Sequence, residues 1–264
     1  MTDRNAWKTG LSIGLVGRAA LEKAADAGLD LVEIFGVDGD RHTEDGIWKS
    51  LAGWSKETGV DIWSIHLPFG DAIKCDVSQW DPVWWNKAKR EYTRLICRAS
   101  EAGAKVAVLH GSVLEPIPRH VRESMKRCAV DHMGILLEVC RENGMTLALE
   151  DLPRTCLGNT SDEILEFIGQ LPDLRVCFDV NHLLQEDHTS FIEKLGKYIV
   201  TTHISDYDFV DEKHWFPMDG KIDWKKLQED LERADYSGPF LYETMPYGKT
   251  WADVRKNFEM LKKL

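Results

Sequence analysis

The chain has 264 residues, 43% hydrophobic and 29% charged, which is the balance of a globular protein long enough to bury a large core. Lys and Arg number 33 against 44 Asp and Glu, and the resulting net charge of −11, without a basic patch, weighs against a nucleic acid partner. No apolar run reaches the roughly 18 residues of a membrane span, the first ten residues hold no apolar signal core, and the six cysteines form no CxxC pair, so we expect no membrane partner and a reducing, cytoplasmic location.

Short β-rich apolar runs alternate with longer amphipathic stretches along the whole chain. Strands are predicted near 11–16, 30–35, 61–66, 105–110, 145–150, 175–179, 199–204 and 239–243. Helices are predicted near 18–27, 44–58, 82–102, 118–143, 161–170, 189–197, 223–234 and 249–263. Eight strands that are each followed by a helix favour a parallel sheet, and runs such as VAVLH and TLALE indicate strands covered on both faces.

The junctions between these elements are of two kinds. Four helix-to-strand junctions contain a glycine that can end a helix in the left-handed conformation: Gly28, Gly59, Gly103 and Gly144. The strand-to-helix junctions after His66 and His203 are long and irregular. Short loops on one face and long loops on the other predict a single (β/α)8 TIM barrel over residues 1–264. A doubly wound open sheet is the structural alternative, but no GxGxxG or GKS/T phosphate loop follows any predicted strand.

Four consecutive predicted strands end in an ionisable side chain: Glu150, Asp179, His203 and Glu243. Because barrel strands direct their carboxyl ends at a common space, we expect these side chains to converge. Three carboxylates and one imidazole suit one divalent metal ion, and ligand softness does not select among Mn, Zn, Mg and Co. A cation would also relieve the repulsion between clustered carboxylates.

The histidines favour the same end of the barrel. Four of the nine lie at or just past predicted strand ends, and a fifth lies in the longest loop: His66, His110, His182, His203 and His214. A scatter over the surface would not favour one end. An isolated acid after a strand most often caps a helix or faces solvent, and we interpret Asp206 and Asp208 in that way.

At these residues the chain resembles the xylose isomerase-like (β/α)8 superfamily of sugar isomerases and epimerases, over nearly its whole length. The resemblance rests on five segments in order, ALEDLPR at 148–154, FDVNH at 178–182, HISD at 203–206, HWFPMDGKIDW at 214–224 and LYET at 241–244. It implies that the four strand-end residues are metal ligands. It also implies that the histidine of FDVNH, His182, contacts the substrate.

The resemblance implies a metal-dependent sugar or sugar-phosphate isomerase or epimerase. A divalent ion would stabilise an enediolate as a Lewis acid, while Glu150 and Glu243 act as acid and base toward carbon. Further candidate contacts to the sugar or polyol are His66, His110, Arg154, His214 and Trp215. Arg154 equally suits a salt bridge between loops.

Three other functions remain open. Endonuclease IV enzymes of the same superfamily use a three-zinc site, and their histidine pattern also finds matches here. The chain departs from it where Glu212-Lys213-His214 replaces Asp-x-His. An inosose dehydratase-like lyase is a variant of the sugar enzyme, and a non-catalytic sugar-binding barrel would not need both glutamates. The sequence leaves open which sugar binds and whether the protein forms a homo-oligomer.

Overall fold

The computed structural model describes residues 4–14, 17–35, 45–70, 74–244 and 248–264. Eight parallel strands form a closed barrel in chain order, and β1 pairs with β8. The strands are Thr9–Ile13 (β1), Leu31–Ile34 (β2), Asp61–His66 (β3), Val106–His110 (β4), Thr146–Glu150 (β5), Arg175–Asp179 (β6), Ile199–Ile204 (β7) and Phe240–Tyr242 (β8). The helices that follow them are Arg18–Asp26 (α1), Asp45–Thr58 (α2), Pro82–Glu101 (α3), Arg119–Glu142 (α4), Ser161–Gln170 (α5), His188–Leu195 (α6), Trp224–Arg233 (α7) and Trp251–Leu261 (α8).

The predicted (β/α)8 barrel is therefore confirmed, and every predicted strand and helix is present. The pairing of β1 with β8 excludes the open doubly wound sheet, whose edges would stay unpaired. β1 begins at Thr9 rather than at residue 11, because Thr9 already pairs with Phe240 where the barrel closes. It ends at Ile13, and the last two residues of the predicted strand, 15 and 16, lie outside the described residues. Among the helices of the described ranges, none is long and apolar enough to cross a lipid bilayer.

The predicted glycine stops are also confirmed. Gly28, Gly59, Gly103 and Gly144 have φ values of 74°, 74°, 102° and 66°, in the left-handed region where a side chain would be strained. At Gly103 the chain leaves α3 and enters β4 only three residues later. These tight junctions lie at the opposite end of the barrel from the long loops, so the long loops are left to form the site.

Alternate residues of each strand point to opposite sides of the barrel wall. Outward residues such as Ala107, Leu147 and Leu149 join the large core between sheet and helices. Val106, Val108, Ala148 and Cys177 form a separate apolar cluster that fills the barrel interior. Beyond this cluster, at the carboxyl ends of the strands, the residues that face the interior carry ionisable side chains.

The loop between β7 and α7 is organised by Asp206, which is completely buried. Its Oδ1 accepts hydrogen bonds from the backbone N–H groups of Tyr207 (2.9 Å) and Ile222 (3.2 Å). Its Oδ2 accepts from the backbone N–H of Met218 (2.9 Å) and the indole N–H of Trp224 (3.0 Å). The interpretation of Asp206 as a capping or solvated residue is therefore wrong, because one buried carboxylate satisfies four donors of this loop.

Gly220 allows the loop to fold so closely around that carboxylate. A Cβ atom at this position would lie 2.2 Å from Asp206 Oδ1 and 2.5 Å from the carbonyl oxygen of Tyr207. Asp208, in contrast, accepts hydrogen bonds from the backbone N–H groups of Val210 and Asp211 in its own turn. The expectation that Asp208 is an ordinary loop residue is confirmed.

Candidate metal centre

The predicted ligands converge because they occupy inward-facing positions at neighbouring strand ends. Glu150 and Asp179 are the last residues of β5 and β6, and His203 pairs directly with Asp179 across β6 and β7. Glu243 follows the last residue of β8, two positions after the inward-facing Leu241, which pairs with His203. One ligand atom from each of the four residues lies within 4.8 Å of the others.

His203 lies at the centre of this group and is completely buried. Its Nδ1 is 2.8 Å from Glu243 Oε2, 3.1 Å from Glu150 Oε1 and 3.8 Å from Asp179 Oδ2. Burial lowers the pKa of an imidazole, but the surrounding negative charges raise the pKa of His203 well above its ordinary value. A single nitrogen therefore faces three carboxylates.

Asp179 supplies the observation that best tests whether a cation fits. Its Oδ1 accepts a hydrogen bond from the backbone N–H of Asn181 at 2.7 Å. Its Oδ2 is buried and has no hydrogen-bond partner in the described part of the chain, although it faces the other three residues of the group. Burial also raises the pKa of Asp179, although the charge of His182, whose Nε2 lies 3.7 Å from Oδ2, opposes that shift. The donor set fits a divalent cation, which would satisfy this oxygen.

A second group lies toward β3 and β4, where His66 and His110 both contact Glu150 Oε2. The distances from their Nε2 atoms are 2.9 Å and 3.2 Å. His66 Nδ1 also faces the carbonyl oxygen of Leu67 at 3.0 Å, so both ring nitrogens face acceptors. Burial opposes the charged form of His66, but its hydrogen bond to Glu150 raises the pKa to about 9. Burial lowers the pKa of His110, whose ring stacks on Phe69 with centroids 3.8 Å apart.

Glu150 is the residue that the groups share. Besides His66, His110 and His203, it faces His182, whose Nδ1 is 3.6 Å from Oε1. Burial opposes ionisation of Glu150, but the charges of His203 and His110 lower its pKa well below its ordinary value. The carboxylate is therefore held ionised at the bottom of the site.

A third group consists of His182, Glu212 and His214, which also offer ligand atoms within 4.8 Å of one another. His182 Nδ1–H donates to the carbonyl oxygen of Asp151 at 2.8 Å, and Nε2 lies 3.4 Å from Glu212 Oε2. Burial opposes the charged form of His182, but the charge of Asp179 raises its pKa to about 9.

Arg154 holds this third group in place from above. Its guanidinium group pairs with Glu115 (3.2 Å), Asp211 (2.6 Å) and Glu212 (2.9 Å). These three carboxylates belong to the loops after β4 and β7, whereas Arg154 follows β5, so one side chain connects three loops. The geometry matches the salt-bridge interpretation of Arg154.

These groups line a cavity of about 380 Å³ at the carboxyl ends of the strands. Six of the site residues predicted from the sequence line this cavity: Glu150, Glu243, His110, His182, His214 and Arg154. His66 lies directly beneath, in contact with Glu150. Trp215 is not among the lining residues, and its backbone pairs instead with Asp206 in a short antiparallel bridge.

Phe69 and Glu33 are among the residues of the site that the sequence analysis missed. Phe69 lines the cavity with 49% of its surface exposed, and no sequence signal distinguishes it from a core aromatic residue. Glu33 is completely buried below His203, with Oε1 3.1 Å from His203 Nε2. The sequence did contain a signal for Glu33, because it is the acidic residue of the otherwise apolar strand LVEI.

Comparison with known proteins agrees with this architecture. A family model described as xylose isomerase-like TIM barrel matches residues 21–264. The uncharacterized protein MJ1311 of Methanocaldococcus jannaschii is 26% identical over 258 residues, which cover 92% of this chain and 83% of that protein.

Solved structures also share the fold. A D-tagatose 3-epimerase-like protein superposes with a TM-score of 0.83 and 23% identity, covering 97% of this chain and 96% of that chain. The IOLI protein with a bound zinc atom superposes with a TM-score of 0.80 and 19% identity, covering 96% of both chains.

Proposed function

Since this chain belongs to the xylose isomerase-like TIM barrel family, we propose that it is a sugar epimerase or isomerase that depends on one divalent metal ion. The observation that carries the proposal is the convergence of Glu150, Asp179, His203 and Glu243 within 4.8 Å. The epimerase-like description of one similar structure and the zinc atom in another support it. A cavity of about 380 Å³ is also in the range of small-molecule sites.

The two glutamates approach the cavity from nonadjacent strands, Glu150 from β5 and Glu243 from the end of β8. The bound ion would supply Lewis-acid polarisation of neighbouring substrate oxygens. One carboxylate removes the proton from the carbon beside the carbonyl, and the other returns a proton from the opposite face, which gives epimerisation. Return of the proton to the adjacent carbon gives aldose–ketose isomerisation instead.

Glu243 is the more accessible of the two bases. Its side chain is 29% exposed, whereas that of Glu150 is 1% exposed and contacts several imidazoles. Burial opposes ionisation of Glu243, but the charge of His203 lowers its pKa to about 2. The carboxylate is therefore ionised at neutral pH, as a base must be, and one of its oxygens can face the substrate.

The histidines around the cavity provide hydrogen-bond donors for sugar hydroxyl groups. His182 holds a fixed orientation because its Nδ1–H donates to the Asp151 carbonyl. Its Nε2 therefore points toward Glu212. We assign His66 and His110 to orienting Glu150 as well as to contacting the substrate. Arg154 stabilises the loops around the cavity through its three carboxylate partners.

The test is solvent exchange of the substrate proton. In D2O with Mn²⁺ or Co²⁺, a panel of ketopentoses and ketohexoses is followed by ¹H NMR for loss of the signal beside the carbonyl. Glu243→Gln should abolish exchange and retain the circular dichroism of the folded barrel. Asp230→Asn is the matched control, because Asp230 is a buried acid on α7 that contacts Thr189 and Arg233 outside the candidate site. Exchange that persists in Glu243→Gln would refute the role of this carboxylate.

A second candidate, a zinc phosphodiesterase like endonuclease IV, is favoured by the two flanking groups. His66, His110 and Glu150 form one, and His182, Glu212 and His214 form the other, on either side of the central ligands. About three zinc ions per chain in elemental analysis would favour this candidate, and a single Mn or Mg ion would oppose it. The net charge of −11 is unfavourable for binding DNA.

A further inference from the structure

Glu33 is an acid in a place where an ionised carboxylate is costly. It is the third residue of β2, its side chain is completely buried, and it points into the barrel interior. Transfer of an ionised carboxylate into such a site is unfavourable unless partners compensate its charge. Its partners therefore indicate what the residue does.

Two of the partners are serines on the neighbouring strands. Ser12 on β1 pairs in register with Glu33, and its hydroxyl donates to Oε1 at 2.9 Å. Ser64 on β3 is the register partner on the other side, and its hydroxyl donates to Oε2 at 2.7 Å. These two hydrogen bonds hold the carboxylate in one orientation in the barrel interior.

The third partner comes from across the barrel. His203 Nε2 lies 3.1 Å from Glu33 Oε1, while Nδ1 of the same ring faces Glu150, Asp179 and Glu243. Nε2 makes no hydrogen bond within the described part of the chain, so its contact with Glu33 is electrostatic. The two ring nitrogens therefore have different surroundings. Nε2 lies beside Glu33, and Nδ1 faces the other three residues of the ligand group.

An imidazole binds a metal ion only through a nitrogen that carries no proton. Without a cation, Nδ1 faces three carboxylates and hydrogen-bonds to Glu150 Oε1 at 3.1 Å, so a proton is favoured on Nδ1 as well. A cation held by those carboxylates would displace that proton, and a carboxylate beside Nε2 favours the proton that remains on the ring. We propose that Glu33 is a positioning residue, which keeps the remaining proton of His203 on Nε2 when Nδ1 binds the cation. The inference rests on the metal centre proposed above and adds a residue that touches neither ion nor substrate.

A purely structural role, in which Glu33 only connects β1, β2 and β3 through the serines, predicts a different result. It would lower the unfolding temperature of the metal-free protein without changing the metal affinity of the molecules that remain folded. The positioning role predicts that Glu33→Gln, which keeps the shape and removes the charge, weakens metal binding by about 10–100-fold.

Metal affinity is measured by titrating the metal-free protein with Co²⁺, followed by its visible absorption and by competition with a chelator. Asp230→Asn is the matched control, since it neutralises another buried acid away from the barrel interior, and its affinity should stay within about twofold of wild type. A Glu33→Gln affinity that also stays within about twofold would overturn the inference.

Nitrogen NMR of the wild-type protein loaded with Zn²⁺ tests the same point without a variant. His203 should show a protonated Nε2 and a metal-bound Nδ1, and the reverse assignment would overturn the inference. If Glu33→Gln does not fold, Ser64→Ala takes its place, because it removes the hydrogen bond that holds Glu33 Oε2. It should weaken Co²⁺ binding, and an affinity within about twofold of wild type would overturn the inference. A wild-type protein that binds no divalent ion would overturn the proposed metal centre itself, an outcome separate from unchanged affinity in the variant.

Discussion

Replacement of Asp206 with Ala should destabilise the protein more than most substitutions do. The change removes a buried carboxylate and leaves four donors without an acceptor, namely the N–H groups of Tyr207, Met218, Ile222 and the Trp224 indole. An unsatisfied buried donor costs about 1–3 kcal/mol. We take the lower end, about 1 kcal/mol for each donor, because water can enter the space that the carboxylate leaves, which gives a loss of about 4 kcal/mol.

The assay is equilibrium unfolding in urea, read as the shift in midpoint at constant slope. Asp206→Asn keeps one acceptor oxygen, so its free energy of unfolding should fall by about half as much, roughly 2 kcal/mol. Asp208→Ala is the control, because Asp208 accepts two backbone hydrogen bonds in the same loop but lies near the surface, and its loss should be far smaller. A cost for Asp206→Ala equal to that for Asp208→Ala would refute the account of this loop.

Two further predictions concern close packing and the metal. Gly220→Ala should destabilise the protein by about 1–3 kcal/mol in the same assay, because its Cβ would lie 2.2 Å from the Asp206 carboxylate. Gly53→Ala in α2, where a Cβ meets no atom within 4 Å, should instead stabilise by about 0.5–1 kcal/mol, and equal effects at both positions would contradict this reasoning. A divalent ion at a free concentration 100 times its Kd should raise the free energy of unfolding by about 2.7 kcal/mol, seen as a higher unfolding temperature. Asp179→Ala should remove that increase, and an increase that survives would place the ion elsewhere.

Much of the barrel was predictable because its signals are local. The apolar run TLALE and the glycine stops such as Gly103 depend on neighbours a few residues away, and all eight strands were found from them. The boundary of β1 was less accurate, since its first residue, Thr9, is ordered by pairing with Phe240, more than 200 positions along the chain.

The candidate site was predictable for a related reason and to a smaller extent. Parallel strands in a closed barrel bring their carboxyl ends together whatever the loop sequences are, so Asp179 and His203 had to be neighbours. The role of a loop residue depends on the path of its loop. Arg154 turned out to be paired with three carboxylates, and Trp215 is not among the residues that line the cavity.

The sequence by itself determined the order of strands and helices and the four ionisable residues at the ends of β5 to β8, because spacing and residue type are properties of the linear chain. Only the tertiary structure decided that Glu150 is shared by several imidazoles and that Glu33 lies beneath His203. Contacts across a barrel depend on register and closure, which bring together the carboxylate of β2 and the imidazole of β7, 170 residues apart in the sequence.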